Sequence, residues 1–414
     1  MQIEKYSMGI GDRFGRQGSA QLKAFMQART DGIEIVPVWN KSHREHTIVH
    51  TEPDAVRKEA DAAVAAMDWK HSYYVDADHI GLKTVDSFIE SSDFFTLDVA
   101  DFIGKNGDET DIRRFVDKYE KYAGNLNIPG LDDGISVTCE DIKRIANKYL
   151  PAVHEAARIY ARIAKVKGSD NFITEVSMDE TDEPQTPMDM FFILAAMADA
   201  GIPAQTVAPK FSGRFNKGID YVGDVDAFAK EFEADVAVVC HCRKEFGLPA
   251  NMKLSVHSGS DKFSIYGVIG EIIRRYDAGL HLKTAGTTWL EELIGLAEAG
   301  GVGLAVAKDI YAGAHSRFQE LCDPYATVID INEAELPTPS EVFGWDANKF
   351  VAALRHDQLC RDYNRNFRQL LHVAYKVAAE MGARYFEALD LCEDAVARNV
   401  AENIYTRHLC RVFS

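Results

Sequence analysis

Two carboxylates and an imidazole stand within four residues in Asp76-Ala77-Asp78-His79, directly after the apolar Tyr73-Tyr74-Val75. Tyrosine and valine favour a buried strand, so this strand runs into a cluster of ionisable groups. Charges removed from water are costly unless partnered. The cluster therefore belongs at the open end of a strand, facing a group that compensates it. A divalent metal with a polar substrate supplies such a group. Capping of a helix near Ile80 by Asp78, with His79 solvated, is the competing reading.

Other segments add to the first view. An imidazole beside a carboxylate suits Zn, Mn, Ni or Co. His257 closes Lys253-Leu254-Ser255-Val256-His257, where two-residue alternation places it with Ser255 on the inner side of a barrel. Asp220, in a glycine-rich loop, is the candidate third ligand, with His281 and Asp76 as alternatives. Cys240-His241-Cys242 imitates a metal motif, but residues two apart on a helix point to different faces, so it reads as core. Asp78 and Glu175 end two strands on one rim, and a pair of carboxylates can serve as base and acid. Partnership of Glu175 with Lys210 is the alternative. The small hydroxyl-rich loops Ser258-Gly259-Ser260-Asp261-Lys262 and Thr284-Ala285-Gly286-Thr287-Thr288 lead into helices whose free amides attract anions. With Lys210, Lys262 and Lys283 nearby, they point to a negatively charged substrate, although capping by Ser260 or Thr287 explains part of the pattern.

The elements that must position these groups follow from strand-length apolar runs alternating with helical segments. Strands are expected at 6–10, 33–38, 73–75, 93–98, 171–176, 204–209, 252–257 and 280–283, and no hairpin signal separates them. Eight such units predict an α/β fold, a (β/α)8 TIM-type barrel. An open doubly wound sheet is disfavoured because Gly9, Gly11 and Gly15 do not form a dinucleotide fingerprint. Chemistry in such barrels sits at the carboxyl ends of the strands. Those ends carry Asp12 and Arg13, Asn40 and Lys41, Asp78 and His79, Glu175 and Asp179, Lys210 and Asp220, His257 and Ser258, and Lys283. A helical insertion is expected at about 100–140 within a barrel over 1–330, and a helical extension over 331–414 packed outside it.

Composition excludes other classes. The chain has 414 residues, 46% of them hydrophobic, with a net charge of -18. That balance leaves no basic face for nucleic acid, while a few lysines in one cleft can still attract an anion. No uncharged apolar run approaches the ~18 residues of a membrane span, and the first residues lack a signal-peptide pattern. Seven scattered cysteines suit a reducing cytoplasm. A homo-oligomer is compatible with inserted helices that serve as a lid or a subunit contact.

Six segments together resemble the tagaturonate epimerase family. They are Tyr6-Ser7-Met8-Gly9-Ile10-Gly11-Asp12-Arg13-Phe14, Pro37-Val38-Trp39-Asn40-Lys41-Ser42, Val75-Asp76-Ala77-Asp78-His79, Ser91 through Ala100, Pro209-Lys210-Phe211 and Val256 through Lys262. The resemblance implies a metal-requiring barrel enzyme that interconverts D-tagaturonate and D-fructuronate, with a keto-hexuronate as its small-molecule partner. It implies a base at Asp78 beside a ligand at His79, a proton donor at Glu175, and further ligands at Asp220 and His257. Asp12, Arg13, Asn40, Lys41, Lys210, Ser258, Lys262 and Lys283 are the expected substrate contacts. The inverted carbon lies β to the ketone, so simple enolisation does not acidify it. Retro-aldol cleavage and re-addition is the expected route; transient oxidation by a nicotinamide has no fingerprint here. Rival readings are a metal-dependent aldolase or ketose isomerase acting on a sugar acid, and a non-catalytic sugar-acid binding barrel.

Overall fold

The computed structural model describes residues 1–414 except Asp132, Asp133, Gly259 and Ala285. The expected insertion and the two expected anion loops therefore lie partly outside the described residues. The described residues form ten strands: β1 (Tyr6–Gly11), β2 (Val36–Ser42), β3 (Tyr74–Ile80), β4 (Phe94–Asp98), β5 (Gly124–Leu126), β6 (Ile135–Val137), β7 (Ile173–Ser177), β8 (Thr206–Ala208), β9 (Lys253–His257) and β10 (Leu280–Lys283). Eight of them close a parallel barrel in the order β1-β2-β3-β4-β7-β8-β9-β10, and β10 returns to β1. The remaining two, β5 and β6, form an antiparallel hairpin inside the insertion.

Strand alternation sorts the residues. Outward positions such as Met8, Trp39, Phe95, Val176, Leu254 and Leu282 are buried against the surrounding helices. Burial of such a side chain stabilises by about 1.5–3 kcal/mol, so this layer closes the barrel. Inward positions separate by height. At the amino end, Ile3, Val36, Val38, Tyr74, Phe94 and Ile173 form an apolar plug. Above it the inward residues are polar, and Thr96, Glu175 and Thr206 lie side by side in register. Gly9 has a packing reason there: a Cβ at this position would stand 2.9 Å from Asn40 Nδ2 and 3.0 Å from Lys283 Cγ.

The strands run further into polar sequence than the expected ends. β2 continues to Ser42 and β3 continues through Asp76 and Asp78. In β3 the inward Asp76 and Asp78 pair with Lys283 inside the barrel, so they do not terminate the strand. The insertion contains the helix Glu109–Tyr119 and then the unexpected hairpin. The following helix, Cys139–Lys167, opens with a capping box between Thr138 and Asp141. The helical C-terminal segments, among them Ala347–Leu354, Arg365–Val373 and Tyr375–Met381, pack on the barrel's outer helices. Close contact with the helix Thr287–Ala299 requires Gly295, where a Cβ would lie 2.5 Å from Val396 Cα. Among the described residues no helix is long and apolar enough to cross a membrane. All seven cysteines are unpaired.

Candidate active site

At the carboxyl end of the barrel lies a cavity of about 580 Å³, within the usual range for a small-molecule site of about 300–1,000 Å³. Its floor is built from β3, β9 and β10 through Asp78, His79, His257 and Lys283. His79 adopts a left-handed backbone (φ 49°), and the β3–β4 register shifts between Ala77 and Ile80. A non-glycine residue held there is strained, and such bulges re-aim side chains beside functional sites. The result brings the His79 and His257 rings to 5.1 Å at 77°.

Asp179, just past β7, completes this cluster. Ligand atoms of His79, Asp179 and His257 lie within 4.8 Å of one another. His257 Nε2 donates to Glu175 Oε1 at 2.8 Å, which leaves Nδ1 turned toward Asp179 Oδ1 at 3.1 Å. That pair is close without hydrogen-bond alignment, and Nδ1 of both His79 and His257 lacks a hydrogen-bond partner among the described residues. Burial alone would favour neutral imidazoles, but neighbouring carboxylates reverse this. His79 is raised well above its ordinary pKa, chiefly by Asp78, and His257 is raised to about 9, chiefly by Asp179. The two imidazoles and carboxylate suit a borderline divalent cation. A carboxylate behind the second imidazole nitrogen is the usual device for fixing a ligand's tautomer.

Beneath the histidines, Lys283 Nζ meets Asp76 Oδ2 and Asp78 Oδ1, both at 2.8 Å, and Glu175 Oε1 at 3.3 Å. It also donates to Thr96 Oγ1 at 2.7 Å. Burial raises Asp76 to about 6 despite the ammonium. For Asp78 burial acts the same way, yet Lys283 and His79 outweigh it and lower the group to about 2. Glu175 is likewise held well below the usual carboxylate range by Lys283 and His257 against the opposing effect of burial. One ammonium thus serves three carboxylates, and Asp179 adds a fourth nearby. The surplus of negative charge fits a cation held between the histidines.

The cavity also has basic lining residues. Arg13, Arg44, Lys210, Arg214 and Lys217 contribute to it, together with Tyr325 and the acidic Glu45, Glu180 and Asp182. Arg13 lies 4.2 Å over the Tyr375 ring and Arg44 lies 5.4 Å over that of Tyr325. The two tyrosine hydroxyls are joined at 2.8 Å. Arg13 Nε is 3.2 Å from Glu45 Oε1, but its Nε and Nη1 lack aligned hydrogen-bond partners among the described residues.

The structure brings together Asp78, His79, His257, Lys283, Arg13 and Lys210, and reassigns other expected residues. Asp220 is not in the histidine cluster: it accepts from Ser264 N and Oγ and from Tyr221 N. It thereby caps the helix Phe263–Arg275, whose N-cap residue Lys262 provides no side-chain cap. Asp179, rather than Asp220, lies beside His79 and His257. His281 Nδ1 pairs with Ser7 Oγ, and Asp76 with Lys283. Lys262 is buried away from the cavity and donates to the carbonyls of Asn216 and Ile219. Ser258 donates to the Lys283 carbonyl.

Asp12 accepts from the amides of Phe14, Gly15 and Arg16, shaping the turn that carries Arg13 rather than touching a ligand. Asn40 is buried inside the barrel beside Gly9. Lys41, on the other face of β2, bears on Glu59 and His46 instead of the cavity. Glu175 is fully buried behind His257, whose Nε2 lies 2.8 Å from its Oε1. Lys283, which lines the cavity, has its ammonium among the carboxylates of Asp76, Asp78 and Glu175. The cations Arg44 and Lys217 carried no distinguishing signal in sequence, whereas Asp179 stood at a strand end.

A family model described as UxaE, tagaturonate epimerase, matches residues 1–410. The tagaturonate/fructuronate epimerase of Thermotoga maritima is 27% identical over 419 residues, covering 97% of this chain and 80% of that protein. Among solved structures, a glycerol complex of the fructuronate-tagaturonate epimerase UxaE from Cohnella laeviribosi aligns over 100% of this chain and 82% of that one. Its TM-score is 0.82 at 23% identity. The native form of the same enzyme gives 0.81 with the same identity and coverage. The architecture, an eight-stranded parallel barrel with helical additions, is common to them.

Proposed function

The chain belongs to the tagaturonate epimerase family and is an isomerase-class enzyme, and from that premise we propose that it interconverts D-tagaturonate and D-fructuronate through a metal-assisted retro-aldol reaction. The observation that carries this reading is the mixed polarity of the cavity lining: the carboxylates and histidines around Lys283 together with the cations Arg13, Lys210 and Lys217. A six-carbon keto acid has the matching polarity, with a carboxylate at one terminus and the ketone near the other.

Bound with its carboxylate at these cations, the substrate directs its ketone and central hydroxyls to the floor. Asp78, an anion beside Lys283 and exposed to the cavity, takes the proton from the hydroxyl on the inverting carbon. The bond between that carbon and its neighbour toward the ketone breaks, leaving an aldehyde and an enediolate. A divalent cation held by His79, Asp179 and His257 would stabilise negative oxygen as a Lewis acid. The cations retain the carboxylate-bearing aldehyde while it turns its other face; re-formation of the bond and return of the proton from Asp78 give the epimer. Glu175 orients His257, and Lys283 holds Asp78 in its ionised form.

NMR of D-tagaturonate incubated with metal-loaded and chelator-stripped protein tests the proposal. Fructuronate should accumulate only with the loaded protein. Three-carbon fragments would indicate an aldolase and a displaced carbonyl an isomerase of the ketose type. Undiminished turnover after complete stripping would reject the metal.

A further inference from the structure

One histidine is enclosed by the C-terminal extension and the barrel loops, and the reaction described above leaves it unused. His372, on the helix Arg365–Val373, is 1% exposed, and neither ring nitrogen has a hydrogen-bond partner among the described residues. It is wedged between two glycines with left-handed backbones, Gly218 (φ 79°) and Gly286 (φ 92°). A Cβ on Gly286 would meet His372 Nε2 at 2.7 Å and Arg13 Nη2 at 2.9 Å, and a Cβ on Gly218 would meet His372 Cβ at 3.4 Å. The imidazole and the guanidinium therefore converge on bare backbone where the helix Thr287–Ala299 begins. That helix has no side-chain cap, and the buried hydroxyl of Thr287 also lacks a partner among the described residues.

Burial and the surrounding charges keep His372 neutral. The strongest charges acting on it, Arg13, Lys217, Arg368 and Lys262, are all positive. Arg368 is paired with Asp261 and Lys262 is directed to backbone carbonyls, so Arg13 and Lys217 are the two that also reach the cavity. Cations, a helix amino terminus and unpartnered donors concentrated in a chain of net charge -18 make a seat for an anion.

We propose that His372 is a specificity-determining residue: with Arg13 and Thr287 it seats the carboxylate of the sugar acid at the amino end of the helix Thr287–Ala299. The assignment rests on reading the cavity as a sugar-acid site. A neutral imidazole donates through one nitrogen, Arg13 adds a charge-assisted bond, and the unpartnered Thr287 hydroxyl completes the cradle. The C-terminal extension thus helps to choose the substrate.

The test compares the wild type, His372→Leu and His372→Gln in the metal-loaded full chain, on a keto-hexuronate and on the neutral ketohexose with a hydroxymethyl group in place of the carboxylate. Loss of one hydrogen bond to a charged group corresponds to about 10- to 100-fold in affinity. His372→Leu should raise KM for the keto-hexuronate by that factor with kcat changed less than about threefold, and its selectivity over the neutral sugar should fall by at least about tenfold. His372→Gln, which keeps a donor, should recover most of it. Equal losses on both sugars, or no loss on either, would overturn the assignment.

Calorimetric binding of a six-carbon aldonate separates this idea from the reading beneath it. If the wild type epimerises no keto-hexuronate, that reading fails. Aldonate binding weakened about 10-fold or more in His372→Leu would still uphold the anion seat, and equal binding to both proteins would remove it.

Discussion

Two clusters of charge in this molecule lie almost entirely out of water, and they differ in balance and in access. In the barrel, Lys283 faces Asp76, Asp78 and Glu175, and the cluster opens through His79 and His257 to the cavity. Between the barrel and the C-terminal extension, Asp261 Oδ2 accepts from Arg368 Nη2 at 2.9 Å, and His356 and His408 lie 3.2 and 3.3 Å from its oxygens. Arg368 also donates to the carbonyls of Gly218 and Leu354. There one carboxylate meets one guanidinium, and both are fully buried. Burial of charge is common to both clusters and so marks neither as a site. The barrel cluster is distinguished by carboxylates in excess of fixed cations, with an open face on which a ligand can restore neutrality.

That distinction can be broken most directly at His257. His257→Ala should abolish metal retention and lower epimerisation by at least about a thousandfold, several kcal/mol of lost charge stabilisation. Metal analysis and turnover check it, and full activity with metal retained would remove the barrel cluster from the chemistry. The second cluster should respond in stability instead. Asp261→Asn, which strands a buried guanidinium, should lower unfolding free energy by about 3 kcal/mol in urea titration, with metal content unchanged.

A smaller effect separates two roles for Glu175. Glu175→Gln should weaken metal binding about 10- to 100-fold, as expected of a group that orients a ligand; lost turnover with unaltered metal affinity would make it the proton donor after all. Asp220→Asn should cost about 1 kcal/mol of stability as a weakened helix cap and leave metal content unchanged.

The pH dependence sharpens the comparison further. Burial would raise the Asp261 carboxyl, but Arg368, His356 and His408 hold it well below the ordinary range. A depressed folded-state pKa gives stability that is present above the unfolded value of about 4 and is lost as pH falls through the lower folded value. The acid limb of unfolding free energy below about pH 4 should therefore be shallower in Asp261→Asn than in the wild type.

Much of this organisation was legible in sequence. Apolar alternation in Lys253–His257 and the acidic end of Tyr74–Ile80 placed ionisable groups where a barrel keeps its chemistry. An aspartate in a glycine-rich loop looks the same in sequence whether it binds a cation or, like Asp220, accepts from the first turn of a helix. Lys262 misled because a lysine beside a hydroxyl-rich loop carries no sign of whether its ammonium reaches a cavity or the carbonyls of Asn216 and Ile219. Glu175 could be identified as a strand-end acid, but not as one sealed behind His257.

The sequence alone determined the periodicities, and through them the eight strands, their outer apolar faces and the polar groups along the inner ones. These are local properties, set by which side of a strand each residue must take. Only the tertiary structure decided that Asp179 joins His79 and His257, that Lys283 serves three carboxylates on two strands, and that His372 reaches Gly286 from the far end of the chain. Such meetings depend on strand register, a bulge at His79 and the docking of the extension. Each is a balance of contacts between distant segments that no local pattern encodes.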